Sequence, residues 1–257
     1  KNQQLFIALL ALTSASAFAG ENTKSDGSLS LNVGVQLGRT GLDGSQKDKA
    51  EWSPVLGVDY RKGRFFAGTR GVGYDLVQEE WLSLYAAAAF DPGRKEGNAK
   101  DSRQLVGMGK VPSSALMIVG ARLAPWGDML ALQVNYIKAA RTEQGGRLQV
   151  GASLGFPVGG PVSGTIDVSA TRADTRLAQT YWGVTAAQSA RSGNRVYTPK
   201  AGWISSSATV GLNWQIDPSW STGFAVGREQ YRGAAAASPL VKRRADTVGS
   251  MTLNYTF

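Results

Sequence analysis

The last eleven residues of the chain carry the pattern that most restricts its fold. Apolar side chains occupy every second position, at Met251, Leu253, Tyr255 and Phe257, and the positions between them are polar. Successive side chains of an extended strand point to opposite faces, so this alternation predicts a strand with one apolar and one polar face. The apolar face of this final strand must be covered by either a protein core or lipid.

The beginning of the chain has the features of a secretory signal peptide. A single positive charge at Lys1 precedes a short apolar stretch, and the small-x-small triplet Ala17-Phe18-Ala19 follows it. This arrangement predicts cleavage after Ala19. The apolar segment is shorter than the roughly 20 residues that a membrane-spanning helix needs, which disfavours an anchor helix. We predict a signal peptide at 1–19, a periplasmic amino-terminal segment at 20–27 and a single β-domain at 28–257.

The residues that are missing from the composition restrict the chemistry. The 257-residue chain contains no histidine and no cysteine, which excludes a Ser-His-Asp triad, a Cys-His pair, disulfides and a histidine or cysteine metal site. Its acidic residues show no spacing typical of a calcium loop. We therefore predict a non-enzymatic protein without a cofactor or metal. The net charge of +9 favours anionic neighbours such as lipopolysaccharide, and nothing in this exported chain suggests nucleic-acid binding.

Alternating segments recur along the rest of the chain. They predict strands at about 28–37, 52–60, 64–74, 81–90, 115–124, 129–141, 147–156, 161–171, 203–216, 220–230 and 247–257. The strands are long and their polar faces are mostly small and uncharged, which favours a wall between lipid and a wet lumen over a soluble sandwich. We expect Val150 and Leu154 to face lipid, and Gln149 and Ser153 to face the lumen.

The connections alternate between tight turns and long loops. Tight turns of Pro, Gly and Asp are predicted at 125–128, 157–161 and 217–219, and long connections at 172–201 and 233–246. This asymmetry is typical of a transmembrane β-barrel with short periplasmic turns and long extracellular loops. An aromatic girdle is expected beside the short turns, at Trp126, Phe156, Trp214, Trp220, Tyr255 and Phe257.

The number of strands must be even in a single-chain bacterial barrel. Eleven can be read from the sequence, so one strand is hidden or misread in the first half. We predict an all-β, antiparallel transmembrane barrel of about twelve strands, with ten as the alternative. The alternating positions Met251, Leu253, Tyr255 and Phe257 also resemble the carboxyl-terminal assembly signal of outer-membrane β-barrels. That resemblance implies recognition by the barrel assembly machinery.

Several segments resemble the MipA/OmpV family of outer-membrane proteins, the MltA-interacting protein-like family. The segments are Gly71-Val72-Gly73-Tyr74, Gly107-Met108-Gly109, residues 180–193 around Tyr181-Trp182-Gly183-Val184, residues 197–202 from Tyr197, and Ser238-Pro239-Leu240-Val241. The chain departs from the family pattern at Asn194-Arg195-Val196 and Lys242-Arg243-Arg244. The resemblance implies an outer-membrane scaffold that links a lytic transglycosylase to a penicillin-binding protein during peptidoglycan synthesis and remodelling. For other members it implies an antigen or adhesin.

Two groups of residues are candidate binding sites. Tyr181, Trp182, Gly183 and Tyr197 form either an exposed patch for a partner or a loop packed on itself, and the second interpretation is favoured because long aromatic loops pack internally. Six basic residues near strand ends, Arg122, Lys138, Arg141, Arg147, Arg172 and Arg176, would select small anions if they lined a narrow channel. Their alternative roles are contacts with lipopolysaccharide phosphates or simple solvation.

Overall fold

The chain forms a closed antiparallel barrel of twelve strands in the computed structural model, which describes residues 27–38, 50–96 and 103–257. Each strand pairs with its sequence neighbours, and the last strand closes the barrel against the first. The prediction of a barrel of about twelve strands is confirmed. The predicted signal peptide and residues 20–26 lie outside the described residues. Within the described ranges, none of the helices has the length and apolar character to cross a membrane.

The strands are numbered in chain order. They are β1 Ser28–Gly38, β2 Glu51–Lys62, β3 Phe65–Gly68, β4 Gly71–Gln78, β5 Leu82–Asp91, β6 Ser114–Leu123, β7 Leu130–Ala139, β8 Gly146–Gly159, β9 Val162–Ala173, β10 Gly202–Gln215, β11 Trp220–Tyr231 and β12 Ala245–Thr256. The described parts of the loops contain three helices, α1 at Thr175–Trp182, α2 at Ala186–Ser192 and α3 at Gly233–Ala236. Short 3-10 turns occupy Arg103–Leu105, Gly127–Met129 and Thr142–Gln144.

The two faces of the wall follow the alternation of the sequence. Leu154 is 49% exposed on the outside of the barrel, whereas Ser153 is 7% exposed inside it. The outer face is lined by exposed apolar side chains on every strand from β1 to β12, as expected for a surface in contact with lipid. Gln149 lies on the same face as Ser153, and Val150 lies on the same face as Leu154. The predicted facing of these four residues therefore agrees with the fold.

The hidden strand lies between 64 and 74. The predicted single strand is wrong there, because β3 and β4 form a hairpin whose tip is Thr69-Arg70. Gly68, Gly71 and Gly73 interrupt the alternation of apolar and polar residues here, and they make the hairpin possible. Gly71 has a φ of 104°, and a Cβ there would collide with the carbonyl oxygen of Ala88. At Gly73 a side chain would collide with the ring of Phe66.

The hairpin of β3 and β4 extends less far toward the long-loop end of the barrel than the neighbouring strands do. β2 pairs with β1 along its whole length, from Glu51 to Arg61, but with β3 only at Tyr60, Arg61 and Lys62. Two bonds from Thr69 to Asp59 hold the tip: the Thr69 amide and hydroxyl each donate to Asp59 Oδ1 at 3.0 Å. At the hairpin tip the Asp59 side chain therefore provides the attachment to β2 that backbone hydrogen bonds provide elsewhere in the barrel.

One residue of β10 departs from the predicted facing. An unbroken alternation over the predicted strand 203–216 would place Ile204 on the same outward face as Val210 and Leu212. This is wrong, because a bulge interrupts the pairing of β9 and β10 between Trp203 and Ser205. The extra residue of a bulge shifts the alternation by one position. Ile204 is 5% exposed and packs under the loops, and Trp203 takes the outward position.

The two ends of the barrel differ as predicted. Two- to six-residue turns close one end at 63–64, 79–81, 124–129, 160–161 and 216–219, and the long loops leave from the other end. The rings of Trp220 and Tyr255 pack near the short turns at a tilt of 53°, with centroids 4.7 Å apart, and the Phe257 ring lies edge-on 4.6 Å from Tyr255. Aromatic rings at this level form the girdle of a membrane barrel, and they place the short turns at one membrane interface.

Candidate functional site

Three loops pack together over the long-loop end of the barrel. We call residues 92–96, 103–113, 174–201 and 232–244 the extracellular cap. Its apolar core joins Leu177, Ala178, Tyr181 and Trp182 of α1 to Val111 and Ala235 of the other two loops, and to Ala173, Ile204 and Tyr231 at the strand ends. The cap is therefore continuous with the top of the barrel wall.

The position of α1 is set by its first turn. Asp174 is the N-cap residue: one oxygen of its carboxylate accepts a hydrogen bond from Leu177 N and the other accepts one from Gly146 N, both at 2.7 Å. An N-cap carboxylate satisfies an amide that the helix leaves unpaired. Because Gly146 begins β8, the same side chain fixes α1 to the barrel rim. Asp167, the other aspartate of this region, lies lower in the lumen beside Ser153.

The end of α1 is attached to the loop that follows β5. The Tyr181 hydroxyl donates to Asp91 Oδ2 at 2.7 Å, and Arg94 Nη1 donates to the Tyr181 carbonyl oxygen at 2.7 Å. Asp91 and Arg94 are both buried, and Asp91 also accepts a bond from Gly93 N. Hydrogen bonds to buried charged groups are costly to leave unmade. We refer to Asp91, Arg94 and Tyr181 as the latch.

A second attachment joins the last loop to α1. Ser238 Oγ donates to the Trp182 carbonyl oxygen at 2.7 Å and accepts from Leu240 N at 3.2 Å. Leu240 is fully buried against Val184 and Met108, so all three loops contribute to this contact. These residues belong to the segments that carried the family resemblance. The segments that carry the resemblance therefore supply this second attachment.

Tyr197 fastens the middle of the cap. Its backbone pairs with Val184 in both directions, and its hydroxyl donates to the carbonyl oxygen of Ala234 at 2.8 Å. Burial raises the pKa of the Tyr197 phenol above its ordinary value, and the nearby Arg195 partly opposes the shift. The phenol keeps its proton at neutral pH and remains a donor.

The four residues of the predicted partner patch are buried or half-buried. Tyr181 and Trp182 are each 6% exposed, Gly183 is buried, and Tyr197 is half-buried. Of the two interpretations from the sequence, this burial supports the loop packed on itself. The sequence did not single out Asp91, Arg94 or Ser238. Asp91 and Arg94 lie outside the segments that carry the family resemblance, and Ser238 belongs to one of those segments.

The lumen has two different sides. Its β8 to β10 side carries small polar groups, including the bonded pairs Ser153 with Asp167 and Ser169 with Ser207. Its β3 to β7 side combines a buried apolar cluster with an ion pair between Arg61 and the buried Asp75, 2.6 Å apart. The cluster consists of Phe66, Tyr85, Leu116, Ile118, Ile137 and Ala139. Ser169 is exposed on the lumen side of β9, so the space beneath the cap is not filled there.

The six basic residues proposed for an anion channel do not form a ring. Arg122 faces inward near the short turns, 3.6 Å from Asp128, and Arg147 is directed inward at the opposite end. Lys138 and Arg172 lie on the outer face of β7 and β9. Arg141 and Arg176 belong to the loops. In the described part of the chain, no group of three acidic residues could hold a metal ion.

The short-turn end presents acidic and aromatic side chains. Glu79, Glu80 and Asp217 are exposed in the turns, beside Trp81 and Trp126. Arg64 is the basic residue of these turns, and it donates to the carbonyl oxygen of Leu76. The charge of this end is therefore opposite to that of the cap, which is rich in arginine and lysine.

The solved structures that resemble the chain include porins and other outer-membrane proteins. The NanC porin is 7% identical over 88% of this chain and 98% of that chain, with a TM-score of 0.44. OmpT of Vibrio cholerae, in a form lacking loop L8, is 7% identical over 91% of this chain and 100% of its own, with a TM-score of 0.40. OprD of Pseudomonas aeruginosa is 9% identical over 90% and 95%, with a TM-score of 0.34. No curated protein matches the sequence.

The family model described as MltA-interacting protein MipA matches residues 31–257. This range contains every strand after β1, most of β1 itself, and the whole extracellular cap. The match confirms both the resemblance and the outer-membrane location that were predicted from the sequence. The chain belongs to the MipA family of bacterial outer-membrane β-barrel proteins.

Proposed function

We propose that the protein is a non-enzymatic scaffold that holds peptidoglycan-remodelling enzymes at the periplasmic end of the barrel. The name of the family, which refers to interaction with MltA, supports a lytic transglycosylase as one partner. A penicillin-binding protein is the second expected partner, because the family resemblance implies a link between the two enzymes.

The observation that carries this proposal is the interlocked cap. The latch and the Ser238 contact join loops that are between 56 and 90 residues apart in sequence, and they hold these loops across the outer mouth. A solute channel needs a continuous open path, which a packed cap opposes. A scaffold does not need such a path. The cap therefore favours scaffolding over conduction.

The periplasmic end supplies the surface on which a partner would dock. Short turns offer little backbone, so side chains must provide the contact. Trp126 is 67% exposed, and Glu79, Glu80 and Asp217 surround the same rim. Aromatic residues contribute strongly to protein interfaces, and carboxylates give a preference for a basic partner. We propose that the enzyme surface docked here is positively charged.

Site-specific crosslinking in cells tests the scaffold. A photoreactive amino acid at Glu80 or Pro218 should crosslink to a lytic transglycosylase or a penicillin-binding protein, because both positions are exposed in periplasmic turns. The same amino acid at Lys242, which is exposed on the cap, should give no such product. Crosslinks that are equal at both ends, or absent from the turns, would contradict the proposal.

A narrow channel for small anions is the second candidate. The exposed Ser169 and its partner Ser207 support it, because they line an unfilled space below the cap. In planar bilayers we expect little steady current from the native protein. Replacing Tyr181 by Phe and Arg94 by Ala removes two bonds of the latch, and should raise the current if the cap is a gate. Steady anion-selective current from the native protein would instead favour the channel.

The adhesin role remains a third candidate from the family resemblance. It would require exposed cap residues to bind a host or cell-surface ligand. Lys242, Arg243 and Arg244 are the exposed basic run that departs from the family pattern. Loss of surface binding by whole cells after all three are changed to Gln, with normal crosslinking at Glu80, would support this role instead.

A further inference from the structure

Three basic side chains lie on the outer, lipid-facing surface of the barrel near its extracellular rim. They are Lys138 on β7, Arg172 on β9 and Arg228 on β11, and all three are exposed. Among the described residues, none of them makes a side-chain ion pair or hydrogen bond. We refer to these three residues as the cation row.

Each member of the row stands at the same point of its strand. On β7 the outward residues Leu132, Val134 and Tyr136 precede Lys138. On β9 the outward positions Ile166, Val168 and Ala170 precede Arg172. On β11 Phe224 and Val226 precede Arg228. The row therefore lies immediately beyond the last apolar residue of three alternate strands, where the hydrocarbon layer gives way to head groups.

The row occupies only one side of the barrel. At the corresponding outward positions of β1, β2, β5 and β6 the chain has Leu37, Trp52, Phe90 and Met117. Charged residues that served only to keep the rim in contact with water would be expected all around the barrel. The cation row does not extend around it. Trp203, which is paired with Arg172 in the sheet and is exposed, adds an interfacial aromatic ring to the same side.

The spacing of the row suits a head group with more than one negative charge. Lys138 and Arg172 are two strands and two residues apart, which corresponds to about 12 Å between their backbone positions. Arg172 and Arg228 are two strands and about four residues apart, or roughly 16 Å. Long basic side chains lie along apolar surface and extend their charged ends to the interface, so neighbouring members can reach one head group.

We infer that the cation row binds the phosphorylated head group of a glycolipid in the outer leaflet, the lipid A part of lipopolysaccharide. The guanidinium groups of Arg172 and Arg228 pair with phosphate oxygens, and Lys138 adds a point charge. The acyl chains lie against the apolar positions below. Arg141 and Arg176 in the loops above β7 and β9 increase the positive potential on the same side.

The test compares lipid A binding by two triple variants of the purified, folded full chain. The row variant carries Lys138→Gln, Arg172→Gln and Arg228→Gln. The control variant carries Lys62→Gln, Arg64→Gln and Lys110→Gln, which removes the same charge from positions outside the row. Heat modifiability on gels shows that each protein is folded. Native mass spectrometry measures retention of bisphosphorylated lipid A, of the same lipid without phosphates, and of phosphatidylglycerol.

We expect the native protein and the control variant to bind bisphosphorylated lipid A at least tenfold more tightly than the other two lipids. The row variant should lose this preference. Binding that is unchanged in the row variant, that falls equally in both variants, or that does not depend on phosphate would overturn the inference. Equal binding of phosphatidylglycerol would show a site for anionic lipids in general, and would overturn the assignment to lipid A. None of these outcomes depends on the periplasmic partners.

Discussion

The wall from β8 to β12 and the wall around β3 and β4 are held together by different means. The strands from β8 to β12 have 12 to 14 residues and pair along almost their whole length, whereas β3 has four residues. The long strands carry two members of the cation row and support most of the cap. The hairpin of β3 and β4 carries neither, and Asp59 fixes its tip. In the long strands, many backbone hydrogen bonds remain when one contact is lost. At the hairpin tip, loss of the Asp59 side chain removes the attachment itself.

The seam between β12 and β1 lies between these two regions and closes the barrel, so its loss should have the largest effect. Deleting Phe257 removes the bond from its amide to the Leu29 carbonyl oxygen and the ring packed on Tyr255. It also removes the terminal residue of the proposed assembly signal. We expect a several-fold decrease of folded protein in the outer membrane, measured by heat modifiability. Replacing Phe257 by Tyr should preserve insertion, and normal levels after the deletion would contradict the assembly role.

The long wall predicts a strong contrast between adjacent positions. Leu154→Arg places a charge on the lipid face and should cost about 2–4 kcal/mol near the membrane midplane. Ser153→Arg places the same charge in the lumen beside Asp167, and should cost clearly less. Unfolding in urea from lipid vesicles measures both. Equal losses would mean that the two faces have been assigned wrongly.

The stability of the β3–β4 hairpin should depend strongly on one polar side chain, that of Asp59. Asp59→Ala removes the bonds from the Thr69 amide and hydroxyl and the bond from Asn32 Nδ2, each 3.0 Å long. Hydrogen bonds to a charged group are worth about 1.5–3 kcal/mol each, and part is recovered by solvent, so we expect a net loss of about 2 kcal/mol. Hydrogen exchange should increase at the hairpin tip.

The matched control for that change lies on the long wall. Ser169→Ala also removes a polar contact in the lumen, the bond to Ser207, but its strand is paired on both sides. We expect a loss below about 1 kcal/mol and no change in the exchange of neighbouring amides. If Asp59→Ala and Ser169→Ala have equal effects, the hairpin tip does not depend on its side-chain contact.

The smallest predicted effect concerns pH and the cap. The pKa of Tyr197 is raised in the folded protein by burial, so the unfolded chain loses this proton first. The stabilisation is complete below about pH 10, the ordinary pKa of tyrosine, and is lost as pH rises through the folded pKa. The difference in thermal stability between the native protein and Tyr197→Phe should therefore shrink above pH 10. A constant difference up to pH 12 would contradict the role of this hydroxyl.

The sequence by itself determined the barrel, the facing of the strands with unbroken alternation, such as β8, and the asymmetry of its ends. Alternation has a period of two residues, so a segment such as 147–156 reveals its apolar and polar faces without knowledge of its neighbours. Turn chemistry is equally local. The position of Trp220, Tyr255 and Phe257 at the short-turn end follows from these two local signals.

Only the tertiary structure decided the hairpin, the cap and the cation row. The hairpin was misread because its glycines have no side chains and leave no alternation to follow, although Gly71 and Gly73 allow its close approaches to β5 and Phe66. The latch joins Asp91 to Tyr181 across 90 residues, and no local pattern reports such a contact. The cation row depends on barrel closure, because only the register of β7 to β11 brings Lys138, Arg172 and Arg228 to one side of one rim.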